Sequence, residues 1–372
     1  MNIAFADFCQ LRYDVRTVGE APLGGTESAA CYLTRALAGQ GHEVFLLGNV
    51  PAEGVYEGVR CVAMRSGHSL PWPTLDALIC MGRPGDPVAL GGVLAPRTRL
   101  ISWQQHAADQ PAVQFLRDPV RRDAYDAFAM VSRWQLEKYQ AEFGIDPPRM
   151  GVMRNAVGFA FEKQFDPGEA ILPHKGRPPV LAYTSTPFRG LDVLLEVFPR
   201  IRQAVPGTRL KVFSSTAVYQ TEQARDEAGY GHLYRRCREI DGVEYIGSLP
   251  QPQLARALRG VWVLAYPNTF AETSCISVME AMGSGCRVVT TELAALPETC
   301  AGFARLVRAW PTSRQYFDDF VAQTVEVLRE ALEQPAAVEP QLRAAVNYIN
   351  DSATWDLRAR QWTQWIGDMR RR

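Results

Sequence analysis

Two acidic residues, Glu272 and Glu280, lie eight positions apart in a stretch that has the residue types of a ligand site. A carboxylate repels a phosphate, but it accepts hydrogen bonds from neutral hydroxyls, as the acid on a ribose does in dinucleotide folds. Between the two acids a helix is predicted to begin, and a helix start offers unpaired N–H groups and a positive dipole end to an anion. The spacing favours a ligand with a central phosphate and hydroxyl-rich groups on both sides, such as a nucleotide sugar. Two acids in an ordinary strand–helix–strand unit are the alternative.

The elements that must hold these acids are two apolar runs and a short helix. Residues 261–266 and 287–291 have the near-continuous apolar composition of buried parallel strands. A helix is predicted over 276–283, ended by Gly283 and Gly285. The loop with Glu272 thus opens at the carboxyl end of a strand, where open α/β sheets bind their ligands.

Glu-x7-Glu followed by Ala-Met-Gly-Ser-Gly-Cys-Arg-Val-Val resembles the donor-site signature of retaining glycosyltransferases of the GT-B fold, in particular family 4. The resemblance implies that Glu272 holds hydroxyls of the donor sugar and that Glu280 holds those of the ribose. It assigns the donor diphosphate to the residues at the helix start: Thr273, Ser274, Cys275 and Ile276. This chain departs from the family at Ser274-Cys275, where Phe-Gly is usual, and at Arg287, where Pro is usual.

A second anion-binding pattern lies near the start of the chain, where Gly24-Gly25-Thr26-Glu27 precedes a helix predicted over 28–38. Thr26 is the expected N-cap, and the glycines allow a sharp turn. A structural turn explains the pattern equally well. In family 4 a Gly-Gly-x-Glu at this place lies opposite the donor diphosphate, so the resemblance assigns Gly24 and Gly25 to the ligand site.

Three further residues gain a role through the resemblance. Arg189 falls on the position of a family Lys that clamps the diphosphate, while an earlier family Arg is absent, with Ser185 or Thr186 near its place. His106 directly follows a strand and matches a His that faces the donor sugar. Leu249 matches a segment that brackets the base. Without the resemblance, Arg189 would be read as a solvent-exposed charge in a loop, His106 as a structural histidine and Leu249 as part of a plain turn.

Length, composition and charge set the wider expectations. A chain of 372 residues is longer than the length at which a single hydrophobic core stops growing, so two domains are expected. Lys+Arg and Asp+Glu both number 40, which gives no indication of a nucleic-acid partner. The eight cysteines are scattered without metal-ligand spacing, so reduced core thiols and no metal site are predicted. No leader and no spanning segment are predicted. A cytoplasmic protein is expected, with peripheral contact to the inner membrane as the alternative.

The order of elements predicts the fold class. Strands are predicted at 3–6, 44–47, 59–63, 77–81, 99–102, 127–131, 180–184, 210–214, 243–246, 261–266, 287–291 and 305–307. Their alternation with helices, among them 191–204 and 253–259, indicates α/β architecture with parallel, doubly wound sheets. The resemblance implies the GT-B fold, two Rossmann-like domains facing across a cleft.

The expected domains are an acceptor-side domain, 1–165, and a donor domain, 175–346, with a Pro-, Gly- and charge-rich linker over 158–179. Residues 347–369 form an amphipathic stretch, and 347–372 is expected to cross back to the first domain. A helix that caps its own domain is the alternative.

The function implied by the resemblance is transfer of a sugar from a nucleotide diphosphate sugar, with retention of configuration. No cofactor and no metal are expected. His106, Glu272 and Arg189 are the predicted catalytic residues, and the acceptor and the oligomeric state stay open. A nucleotide-sugar epimerase of the same fold and a non-catalytic nucleotide-sugar-binding protein are the alternatives.

Overall fold

The computed structural model describes residues 1–82, 86–308 and 310–371, which form two compact α/β units. The first unit comprises Met1–Glu20, Gly25–Ala156 and Trp355–Arg372. The second comprises Ala21–Gly24 and Val157–Thr354. The chain therefore leaves the first unit at 156/157, nine residues before the predicted end of the first domain, and re-enters it at Trp355.

The strands within the described ranges are β1 (Asn2–Asp7), β2 (Glu43–Gly48), β3 (Gly54–Tyr56), β4 (Val59–Ala63), β5 (Ala77–Met81), β6 (Arg99–Gln104), β7 (Ala127–Met130), β8 (Met150–Val152), β9 (Val180–Tyr183), β10 (Arg209–Val212), β11 (Val243–Tyr245), β12 (Val263–Tyr266), β13 (Arg287–Thr291) and β14 (Ala304–Val307). The helices are α1 (Thr17–Glu20), α2 (Gly25–Gly39), α3 (Pro87–Val93), α4 (Pro119–Asp123), α5 (Arg133–Phe143), α6 (Leu191–Ala204), α7 (Gln223–Glu239), α8 (Gln251–Arg259), α9 (Ile276–Gly283), α10 (Leu296–Cys300), α11 (Arg314–Glu333), α12 (Pro335–Ser352) and α13 (Trp355–Arg371).

The predicted strands are confirmed within two residues at each end, because buried parallel strands are continuous apolar runs that stand out in the sequence. The two strands that the sequence did not reveal are β3 and β8. Each has three residues, and none of these is fully buried. Short, partly exposed strands have no apolar run by which the sequence could reveal them. They form by pairing with the neighbouring strand of the sheet.

Over its described residues, each unit has one sheet, with a point at which the strand order reverses. The first sheet has the order β3-β4-β2-β1-β5-β6-β7-β8, parallel except for the β3–β4 pair. The second has the order β11-β10-β9-β12-β13-β14 and is parallel throughout. In the second sheet the reversal lies between β9 and β12, and ligands of doubly wound folds bind in the crevice outside the carboxyl ends of such strands.

The amphipathic stretch at the end of the chain is two helices rather than one. α12 ends at Ser352, and α13 begins at Trp355 after a break at residues 353–354. In the first unit Trp362 packs against Phe5 and Trp103, with ring centroids 6.3 and 5.4 Å away. Large buried aromatic surfaces of this kind fix α13 to the first unit's core.

Residues 158–179 are not a linker but part of the second unit. Phe161 and Ile171 are fully buried, and the carboxylate of Glu339 accepts hydrogen bonds from the amides of Ile171 and Leu172 at 2.6 and 2.9 Å. A Cβ at Gly285 would lie 2.6 Å from Ile171 Cγ2, in a backbone with φ +68°. The composition suggested flexibility, but a few apolar anchors are enough to fix the segment.

One smaller expectation is corrected. α2 begins at Gly25, so Thr26 lies in its first turn and is not the N-cap. The N–H groups of a helix's first turn have no intrahelical partner, so the helix can begin at a glycine. Elsewhere in the first unit, Asp86 caps α3, residues 83–85 lie outside the described residues, and residues 64–69 and 72–74 form short 3-10 turns.

Candidate donor site

The loops after β9 and β12 approach each other closely at the reversal point of the second sheet. A Cβ on Gly190 would lie 2.1 Å from the carbonyl oxygen of Pro267, and Gly190 has φ +112°. Only glycine suits this position, since any other residue would meet both a clash and a strained backbone. The glycine therefore brings the residue before it, Arg189, against the loop that carries Glu272.

Arg189 and Glu272 form an ion pair in this loop region. Arg189 Nη1 donates to Glu272 Oε1 at 2.8 Å, and the Tyr266 hydroxyl donates to the same oxygen at 2.6 Å. The Glu272 side chain is only 8% exposed. The two predicted catalytic residues of the second unit thus contact each other, although the resemblance assigned them to different parts of the donor.

Aromatic side chains surround the Arg189 guanidinium. Its Cζ lies 4.4 Å from the ring centroid of Phe270 and 5.5 Å from that of Phe188, and Nη2 lies 3.4 Å from the Tyr219 hydroxyl. Burial opposes the charged form, but the nearby Glu272 carboxylate holds the pKa of Arg189 above its usual value. A permanent cation at the end of β9 can attract an anion such as a phosphate.

The start of α9 lies in the same loop as Glu272. The helix begins at Ile276, with Cys275 as its N-cap residue at φ −75° and ψ 97°. This conformation is open to any residue, so Cys275 stands where the family has Gly without backbone strain. Burial raises the pKa of the Cys275 thiol well above its usual value. The thiol is therefore neutral, and it does not repel an anion at the helix start.

Glu280 is buried on α9 and is held by a residue that the sequence did not indicate. Gln251 Nε2, at the first position of α8, donates to Glu280 Oε1 at 2.8 Å. Burial raises the pKa of Glu280 to about 8. Gln251 follows the segment with Leu249, so the contact links the residues predicted at the base and at the ribose. No sequence pattern relates α8 to α9 at this point.

The remaining predicted site residues are divided between the units: Gly24 groups with the second, and Gly25 and His106 with the first. The backbone of His106 is fixed by α5, because its carbonyl accepts hydrogen bonds from Gln135 Nε2 at 2.8 Å and from the Tyr139 hydroxyl at 2.9 Å. Ser132 caps α5 through the Gln135 amide at 3.0 Å. The sequence did not indicate Gln135 or Tyr139, the two residues that hold His106.

One cluster of potential metal ligands occurs among the described residues, and the sequence did not predict it. Asp7, Cys9 and Glu27 in the first unit have ligand atoms within 4.8 Å of one another. The Asp7 carboxylate accepts hydrogen bonds from the Tyr13 hydroxyl at 2.6 Å and from Cys9 Sγ at 3.2 Å. Burial and Asp7 raise the pKa of Cys9, which disfavours a thiolate ligand. All eight cysteines are free thiols.

Part of this chain matches a known family of proteins. Residues 178–329 match the family described as Glycosyl transferases group 1. The phosphatidyl-myo-inositol mannosyltransferase of Mycobacterium tuberculosis is 27% identical over 164 residues, which cover 44% of this chain and 39% of that protein. The chain therefore spans about two fifths of the length of the curated relatives that it matches.

Solved structures extend the likeness to the whole chain. A glycosyltransferase from Rickettsia africae has a TM-score of 0.70 at 13% identity, over 99% of this chain and 98% of that one. Anabaena HepE, solved in complex with UDP-glucose, has a TM-score of 0.62 at 14% identity, over 99% and 100%. Among the described residues, no helix combines the length and apolar character that a membrane crossing needs. Residues 178–329 thus match the group 1 glycosyltransferase family, and the chain has the GT-B fold of the solved glycosyltransferases.

Proposed function

We propose that the protein transfers a sugar from a nucleotide diphosphate sugar to an acceptor, with retention of the anomeric configuration. The family match over residues 178–329 covers the segment that contains Arg189, Glu272 and Glu280. Arg189 and Glu272 lie in the loops after β9 and β12, at the reversal point of the second sheet, where doubly wound folds bind their ligands. The donor would therefore bind along the loops after β9, β11 and β12.

The contact between Arg189 and Glu272 is the observation that carries this proposal. A cation for a phosphate and an acid for sugar hydroxyls lie 2.8 Å apart. Such a close pair is expected beside the bond between the sugar and its phosphate, because the negative charge of the diphosphate and the hydroxyls of the sugar are close together there. Arg189 would balance the charge that develops on the leaving diphosphate, and Glu272 would hold the sugar by its hydroxyls.

The proposed chemistry is a front-face displacement. The bond between the anomeric carbon and the phosphate oxygen breaks while the acceptor hydroxyl attacks from the same face. The departing phosphate oxygen takes the acceptor proton, so no side chain needs to act as a covalent nucleophile. Arg189 and the N–H groups at the start of α9 would stabilise the leaving diphosphate without a metal ion.

Incubation with a panel of nucleotide sugars tests the proposal. The panel includes UDP-glucose, as found in the Anabaena structure, and a mannosyl nucleotide, as the relative named a mannosyltransferase suggests. Release of nucleoside diphosphate, by slow hydrolysis or by transfer to an added acceptor, is the expected result, with loss of release in Glu272→Gln. NMR of the product's anomeric proton reports retention.

The same experiment separates the alternatives. An epimerised sugar would instead support the epimerase. Saturable binding without turnover for any donor would support a non-catalytic binding protein. Arg200→Ala is the control variant, because it removes one partner of an exposed ion pair with Asp318 in the same unit and should leave release unchanged.

A further inference from the structure

Two threonine hydroxyls after β9 are buried without a hydrogen-bond partner among the described residues. They are Thr184 Oγ1 and Thr186 Oγ1. Thr186 is only 6% exposed. A buried hydroxyl that makes no hydrogen bond costs free energy in the unliganded fold. A ligand that accepts hydrogen bonds from both hydroxyls would offset that cost.

The backbone holds this pair of hydroxyls beside the candidate donor site. The Thr184 carbonyl accepts a hydrogen bond from Ser277 Oγ, in the first turn of α9, at 3.0 Å. The Thr186 carbonyl accepts from the Tyr183 hydroxyl at 2.8 Å and from the Arg189 amide at 3.2 Å. The turn 184–186 is therefore fixed between the start of α9 and Arg189, the two groups that favour an anion.

The chemistry of the turn fits the departure of this chain from its family. The family pattern has two cations after this strand, and this chain has Arg189 alone, with Ser185 or Thr186 near the position of the other. A hydroxyl donates one hydrogen bond and carries no charge. Two hydroxyls can therefore hold phosphate oxygens where a second cation would otherwise do so.

We propose that the Thr184 and Thr186 hydroxyls donate hydrogen bonds to the phosphate oxygens of the nucleotide donor, in place of the second cation. The inference rests on the proposed function, because it takes the donor to be a nucleotide diphosphate sugar. On this proposal the two hydroxyls contact the phosphates of the donor and neither its base nor its sugar. The hydroxyls then gain hydrogen-bond acceptors when the donor binds.

Thr184→Val and Thr186→Val test this, since valine keeps the branched shape of threonine and removes the hydroxyl. Calorimetry is done with UDP, GDP and ADP and with the matching nucleosides, and thermal unfolding is followed without ligand. Each variant should bind the preferred diphosphate about tenfold or more weakly, as for a lost hydrogen bond to a charged group. Nucleoside affinity should stay the same, and the Tm of the unliganded variant should be equal to or above that of the wild type.

Thr290→Val is the matched control. Thr290 Oγ1 is also buried without a partner among the described residues, on β13 of the same sheet. The control should keep wild-type diphosphate affinity. Thr186→Ser retains a hydroxyl and should restore most of the affinity that Thr186→Val loses, which also guards against misfolding of the valine variant.

The outcomes are distinct. If wild-type protein binds none of the three diphosphates, the proposed donor class is wrong and the inference fails with it. If wild-type protein binds and both valine variants bind equally well, the inference alone is overturned. Equal loss of nucleoside and diphosphate affinity, or a Thr186→Ser variant as weak as Thr186→Val, would also overturn it, because either result means a structural role.

Discussion

Arg189 Nη1 lies 2.8 Å from Glu272 Oε1, an oxygen that also accepts a hydrogen bond from the Tyr266 hydroxyl at 2.6 Å. Each partner thus balances the charge of the other in the absence of a donor. A diphosphate that binds Arg189 must share the guanidinium with Glu272 or displace it. The pair therefore links the stability of the unliganded unit to donor affinity.

Replacing Arg189 should affect affinity and stability together. Arg189→Ala should weaken diphosphate affinity by at least about 1.5–3 kcal/mol, since it removes a charge-assisted contact. Arg189→Lys should recover only part of the lost diphosphate affinity, because the ammonium group of lysine cannot form the bidentate contact of a guanidinium. Arg189→Ala also leaves Glu272 buried without its cation, which should lower the free energy of unfolding by about 3 kcal/mol. Calorimetry at one ionic strength and urea unfolding measure the two effects.

Arg200→Ala provides the control for the charge change. Arg200 and Asp318 form an exposed pair at 2.7 Å, both about half exposed, so its loss should cost less than about 1 kcal/mol and no affinity. Wild-type diphosphate affinity in Arg189→Ala would mean that another cation holds the diphosphate. The double variant Arg189→Ala/Glu272→Gln should be more stable than Arg189→Ala alone.

Glu280 should make donor binding pH-dependent. Burial raises its pKa to about 8 in the unliganded protein, whereas ribose hydroxyls would bind the charged carboxylate. Diphosphate affinity should therefore rise as the pH increases from about 6 towards about 8, with proton release that calorimetry in buffers of different ionisation enthalpy detects. Glu280→Ala should weaken binding by about 1.5–3 kcal/mol. A Glu280→Gln variant with the same pH profile as the wild type would rule out this role.

The same pKa predicts a pH effect on stability. The folded-state pKa of Glu280 is raised from 4.5 to about 8, so between these values the folded protein holds a proton that the unfolded chain releases. The free energy of unfolding should fall as the pH rises through this window. Glu280→Gln should remove this part of the decline. Urea unfolding of the wild type and of Glu280→Gln from about pH 5 to about pH 8.5 gives the difference between their free energies of unfolding at each pH. Other titrating groups contribute equally to both proteins and cancel in this difference, including Glu27, whose pKa is raised to about 7.

His106 should act on turnover and not on nucleotide affinity. If it contacts the donor sugar or the reacting centre, His106→Ala should lower turnover by about a hundredfold or more, as for a lost transition-state contact. Affinity for the bare nucleoside diphosphate should be unchanged. His42→Ala is the matched control, because His42 contacts Thr363 in the same unit at 2.9 Å and has no assigned role. Equal loss of turnover and affinity would mean that His106 is structural.

Metal removal should leave turnover unchanged. The proposed charge balance uses Arg189 and the start of α9, so dialysis against EDTA should change neither diphosphate affinity nor product release. Loss of activity that a divalent ion restores would contradict this. In that case the cluster of Asp7, Cys9 and Glu27 would be the first place to test, through Asp7→Asn.

The sequence by itself determined the strands of the second unit, the bounds of α6 and α9 and the identity of most candidate residues. α6 and α9 have the predicted bounds 191–204 and 276–283, because glycines stand at or next to their ends and apolar residues recur along them. Once the strands and helices are placed, the loops at the carboxyl ends of the strands are known. The sequence therefore also predicted which loops would carry ligand residues. Local signals of this kind depend on residues close together in the chain.

Only the tertiary structure decided which of these residues meet. Arg189 and Glu272 are 83 positions apart, and they touch because β9 and β12 are neighbours at the reversal point and Gly190 permits the close approach. The bond between Gln251 and Glu280 and the raised pKa of Glu280 likewise depend on strand order and burial. The same holds for the two threonine hydroxyls that have no partner in the described part of the chain. These are properties of packing, and no spacing along the chain encodes them.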